Sequence, residues 1–129
     1  MPFLFLRKQE VIDIHTRLIE AFGGIHGLRD EGALQSALAA AENREHYENA
    51  NLAICAATYA YHLTNAHAFI DGNKRIAAAA AEVFLELNGA QLSATNEQIV
   101  SVFLDLASGR LSREEVEEFF ARCTYKVTE

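Results

Sequence analysis

Apolar residues at Val11, Ile14, Leu18 and Phe22, with Ile12 and Ile19 beside them, recur at helical spacing and predict a helix over about Lys8 to Phe22. Gly23-Gly24 ends it as a C-terminal cap would. Asp30 is placed to cap a second helix, whose face carries Leu34, Ala37, Leu38 and Ala41. The polar, aperiodic stretch from Glu42 to about Asn49 is expected to be an exposed connection that curls into a small flap. From Leu52 to Leu63 the pattern is helical and apolar nearly all round, as in a helix buried mid-fold.

A further helix is expected from Arg75 to Leu87, where the alanines at 77 to 81 suit close helix packing and Asn88-Gly89 marks the stop. Thr95 precedes a shorter helix over about Asn96 to Ala107, and Ser112 with Glu115 three residues on has capping-box spacing for a last one. No alternating run is long enough for a real sheet. The predicted fold is therefore all-α, with at most a minor β-hairpin drawn from Phe3 to Leu6, Gln91 to Ser93 or the flap.

A chain of 129 residues, half of them apolar, has room for one core, and the expectation is a single domain over 1–129. The apolar run near the start is too short for a signal peptide or a membrane span, so a cytoplasmic protein with no membrane partner is expected. Cys55 and Cys123 have neither metal-ligand spacing nor the density of a disulfide scaffold. A formal charge of −7 argues against direct nucleic-acid binding, which needs an excess of cations on the contact face.

Between the buried helix and the alanine-rich one lies HAFIDGNKR, residues 67–75, with a base, a carboxylate, an amide and two cations together. The first N–H groups of the following helix are unpaired and point into this loop, so an anion is the natural guest. Gly72 allows a tight turn close to phosphate oxygens, and Asn73 can offer its side-chain amide and main-chain N–H. Lys74 and Arg75 add positive charge, Arg75 with a bidentate grip. Asp71 fits as a ligand of Mg²⁺ bridging phosphates. His67 is the candidate general base toward an incoming hydroxyl, and Phe69 is expected to anchor the loop in the core. His15, His26, His46 and His62 read as structural, with His62 the one nearest the loop in sequence.

This segment resembles the signature of the Fic/Doc superfamily, His-x-Phe-x-(Asp or Glu)-Gly-Asn-(Gly or Lys)-Arg. Lys74, GLRDEGALQSAL and FLELNG make it most similar to the Doc (death-on-curing) branch, over about residues 8 to 122. The resemblance implies a helical bundle with the loop between two central helices. It implies His67 as base, Asp71 as the Mg²⁺ ligand, Gly72, Asn73, Lys74 and Arg75 as phosphate binders, and the Glu42 to Glu48 flap as a docking aid. It further implies a toxin of a type II toxin–antitoxin system, a protein kinase that moves the γ-phosphate of ATP to a Ser/Thr hydroxyl of elongation factor Tu and inhibits translation.

Ala68 stands where proline is common in the family and Ala66 where asparagine or glycine is frequent, departures that remove no catalytic group. No segment matches the family's inhibitory Ser/Thr-x-x-x-Glu-(Gly or Asn) helix, which implies control in trans by a Phd-type antitoxin. The competing readings are an AMP transferase of the Fic type and a catalytically silent binding module.

Overall fold

The computed structural model describes residues 3–127. Six helices run in chain order: α1 Lys8–Phe22, α2 Glu31–Glu48, α3 Leu52–Ala66, α4 Asn73–Leu87, α5 Asn96–Ala107 and α6 Arg113–Cys123. Two short strands, β1 Ala90–Leu92 and β2 Thr124–Lys126, pair antiparallel with Gln91 opposite Tyr125. The fold is all-α, and no helix among the described residues is long and apolar enough to cross a membrane.

Helix α3 is the centre of the packing. It is buried at Ala53, Cys55, Ala56, Ala57, Tyr59, Ala60 and Leu63, with α2, α4 and α6 against it. Small residues make this crowding feasible: Ala77, Ala80 and Ala81 of α4 are all fully buried, as are Ala56, Ala57 and Ala60 of α3. The caps follow the sequence, with the Asp30 side chain accepting from Ala33 N–H, Thr95 from Gln98 and Ser112 from Glu115.

Three helix boundaries and one strand pairing differ from what the sequence predicts. Helix α2 runs unbroken to Glu48, so the Glu42 to Asn49 segment is no flap. Arg44 explains this: it pairs with Glu48 one turn on at 3.2 Å and with Glu117 of α6 at 2.8 Å, a tie a polar stretch does not advertise. Helix α3 continues past Leu63 to Ala66, and α4 begins two residues before Arg75, at Asn73. The partner of β1 is β2, at the far end of the chain.

Phe3 to Leu6 forms no strand. The Asn88 side chain takes the place of a partner strand, accepting from Leu4 N–H at 2.8 Å and donating to Leu4 C=O at 3.0 Å. Beyond it, the buried Leu6 N–H donates to the Tyr59 hydroxyl at 3.0 Å. Tyr59→Phe leaves that N–H without its partner, so unfolding in urea should show a loss of about 1–3 kcal/mol. An unchanged midpoint would mean that the bond contributes nothing.

Candidate active site

The loop from His67 to Gly72 leaves the C-terminus of α3 and enters α4, and almost every residue of its backbone is tied. His67 itself adopts a left-handed conformation, φ 49° and ψ 42°, which turns the chain out of the helix. Its carbonyl accepts from Arg29 Nη2 at 2.6 Å. The Ala68 carbonyl accepts from the N–H groups of Arg29 and Asp30 at 2.7 and 2.9 Å, and Ile70 N–H donates to Gly27 C=O at 3.0 Å. The segment before α2 thus lies along the loop and straps it down. Gly27 makes this approach feasible, because a Cβ there would sit 2.7 Å from the Ile70 side chain.

Phe69 is buried and anchors the loop in the core, as expected. Its backbone is closed onto Asn73, whose Oδ1 accepts from Phe69 N–H at 3.1 Å and whose Nδ2 donates to Phe69 C=O at 2.9 Å. The Asn73 side-chain amide is therefore occupied within the loop. What Asn73 has left to offer a ligand is its main-chain N–H.

Gly72 sits at φ 75°, a conformation that favours glycine, and as the residue before α4 it carries no side chain to cap the helix. The first intrahelical bond runs from Ile76 N–H to Gly72 C=O at 2.9 Å. Among the described residues nothing accepts from the N–H groups of Asn73, Lys74 and Arg75. These groups carry the positive end of the helix dipole. They open beside a cavity of about 370 Å³ whose polar end is Asp71, Gly72, Lys74 and Arg75.

The opposite wall of the cavity is apolar and comes from α5: Ile99, Val100, Phe103 and Leu104. Val100 and Leu104 are half exposed there, so one face of α5 lines the cavity instead of the core. Lys74 and Arg75 have no carboxylate at ion-pair distance among the described residues. The Arg75 guanidinium lies over the Phe22 ring, 4.8 Å from its centre. The chain is acidic overall, yet here it leaves two cations unneutralised.

Asp71 is held at both oxygens by main-chain donors, Ile25 N–H to Oδ2 at 3.0 Å and Gly72 N–H to Oδ1 at 2.8 Å. Those two hydrogen bonds keep its carboxyl below the ordinary carboxylate range, and the nearby charge of Arg75 acts in the same direction. Asp71 is an anion at neutral pH. His67 has an exposed side chain and lies outside the lining of this cavity, at the other end of the loop. His62 is half-buried, and burial followed by the charges of Arg113 and Arg44 lowers its pKa. Its charged neighbours belong to α2 and α6, away from the loop.

The structure adds one residue, His15, to the surroundings of the loop. His15 is buried on α1, donates from Nε2 to the Asp71 carbonyl at 2.7 Å and stacks on Phe69. Its position between Val11 and Ile19, four residues from each, was the available signal. A polar side chain on a buried stripe needs a buried partner.

The chain is similar to known proteins along most of its length. The Fic/DOC family profile matches residues 5–85, which include the whole loop and its straps. "Protein kinase doc" of Escherichia phage P1 is 30% identical over 118 residues, covering 91% of this chain and 93% of that protein. "Toxin Doc" of Mycolicibacterium smegmatis is 42% identical over 84 residues, 64% of this chain and 65% of the relative. The profile spans well over half of the chain and the phage relative nearly all of it; the chain belongs to the Fic/DOC family, on its Doc branch.

Proposed function

We propose that this protein is a Doc-type toxin that transfers the γ-phosphate of ATP to a Ser or Thr hydroxyl of a target protein, elongation factor Tu, and so stops translation. The observation that carries the reading is the uncapped start of α4: among the described residues nothing accepts from its first three N–H groups, and Lys74 and Arg75, with no carboxylate at ion-pair distance, line the adjoining cavity. That set suits a polyphosphate. The apolar α5 wall gives the nucleoside a surface to lie against, and the similarity to a phage protein named as a kinase points to phosphoryl transfer.

In the transfer, the target oxygen forms a bond to the γ-phosphorus as the bond from that phosphorus to the bridging β–γ oxygen breaks, releasing ADP. His67 takes the hydroxyl proton. The free N–H groups of Asn73, Lys74 and Arg75, with the side chains of Lys74 and Arg75, hold the phosphates in line. Gly72 contributes by its close backbone approach.

The donor set at Asp71 fits Mg²⁺: one ionised carboxylate in the lining of the cavity, its orientation fixed by two main-chain bonds. Among the described residues no group of three or more His, Cys, Asp or Glu could hold a metal ion unaided, so the ion would share Asp71 with phosphate oxygens and water. Held by Asp71, Mg²⁺ would supply neutralisation of the phosphate charge. The absence of the family's inhibitory helix motif supports restraint in trans by a Phd-type antitoxin, in the cytoplasm.

Lys74 is the residue that separates kinase from AMP transferase. With ATP labelled on its γ-phosphorus, label should pass to elongation factor Tu, while α-labelled ATP should leave it unlabelled. Lys74→Gly removes a phosphate contact, and transfer of the γ-label should fall by about tenfold or more. Transfer of α-label by the unmodified protein would replace this reading with AMP transfer.

A further inference from the structure

His15 lies 56 residues before the loop residue that it touches and takes no part in the transfer described above. It is 2% exposed, and its ring lies flat on Phe69, with centroids 3.9 Å apart and planes 13° apart. A carbonyl oxygen can only accept, so in the 2.7 Å contact with Asp71 C=O the donor is the Nε2–H of His15. No other donor among the described residues reaches that carbonyl.

We propose that His15 is a positioning residue: by holding the Asp71 carbonyl it sets the Asp71–Gly72 peptide plane, and through that plane the Asp71 carboxylate. The peptide unit is planar and trans, so a carbonyl turned inward to His15 turns the Gly72 N–H to the opposite side. That N–H is the one that holds Asp71 Oδ1. The Ile25 N–H holds the other oxygen, and both bonds depend on the orientation that His15 imposes.

A glycine follows this peptide and gives it unusual freedom to flip. His15 and Ile19 fill the space beneath the turn, since a Cβ on Gly72 would lie 3.3 Å from Ile19 Cδ1 and 3.5 Å from His15 Nε2. Helix α1 is thereby coupled to the phosphate end of the cavity through one hydrogen bond and one stack. What the positioned carboxylate is for rests on the nucleotide reading, but the positioning itself can be measured without nucleotide.

The test uses His15→Phe, which keeps the stack and loses the donor, and His15→Gln, whose amide nitrogen offers a donor at comparable reach. In the unloaded protein, amide exchange at Gly72 and Ile25 should be about tenfold faster in the Phe variant, the loss of roughly one hydrogen bond, and close to wild type in the Gln variant. With ATP, Mg²⁺ and elongation factor Tu, the Phe variant should lose about a hundredfold in kcat at an unchanged KM for the target, and Gln should recover most of it.

Equal exchange at both amides in a folded Phe variant overturns the proposal. So does fast exchange in the Gln variant, however the Phe variant behaves. If the wild-type protein transfers no phosphoryl group at all, the functional reading fails, and the amide exchange still decides what His15 does.

Discussion

Replacing His67 is expected to reduce phosphoryl transfer by about 10²–10⁴-fold, the usual contribution of a positioned general base. Alanine is the plain choice, but asparagine is the sharper one. His67 holds φ 49° at the end of α3, and asparagine tolerates that left-handed conformation better than other residues of its size. His67→Asn should therefore keep the helix exit and the Arg29 bond to the residue 67 carbonyl while removing the base. An initial-rate assay alongside a melting curve checks both halves. Full activity in a variant that melts like wild type would take His67 out of the mechanism.

Asp71→Asn should have an effect of similar size for a different reason. Each carboxylate oxygen accepts from a main-chain N–H, so an amide must turn its NH₂ toward Ile25 or Gly72 and lose one of the two bonds. The charge that would attract Mg²⁺ goes as well. Losing several kcal/mol of charge stabilisation corresponds to a rate lower by about 10²–10³-fold, with a raised Mg²⁺ requirement in a titration at fixed ATP.

The pH dependence of Asp71 has a definite sign. Its carboxyl is held below the ordinary range by Ile25 and Gly72, so the stability it contributes is present above the unfolded value, near 4, and is lost only as pH falls through the lower folded value. Across neutral pH, the Mg²⁺ requirement of the wild-type protein should not vary through Asp71. A steep change between pH 6 and 8, abolished by Asp71→Asn, would contradict this.

The helices and the site segment were legible because they are written locally. Spacing placed α1, capping residues placed the starts of α2, α5 and α6, and the chemistry-bearing residues from His67 to Arg75 stand in one stretch between two helices. What could not be read depends on distant parts of the chain. The polar end of α2 is held as helix with help from Glu117 on α6, and β2 exists only because Ala90–Leu92 lies beside it.

Within the loop, the sequence offers the Asn73 side chain as a ligand group, whereas the fold uses it to close Phe69. An amide can do either, and only the path of the backbone decides. His15 was hidden for the same reason, since its partner is a carbonyl that no local pattern puts beside it. The exposed Val100 and Leu104 of α5 obey helical spacing like core residues, yet they line the cavity.

Terminal phosphoryl transfer to a protein hydroxyl is read directly by intact-mass spectrometry. Purified elongation factor Tu is incubated with this protein, ATP and Mg²⁺, with the His67→Asn variant run in parallel. A gain of about 80 Da, one phosphoryl group, is expected in the first reaction and none in the second. A gain of about 329 Da, one AMP, or an unchanged mass with active protein would contradict it.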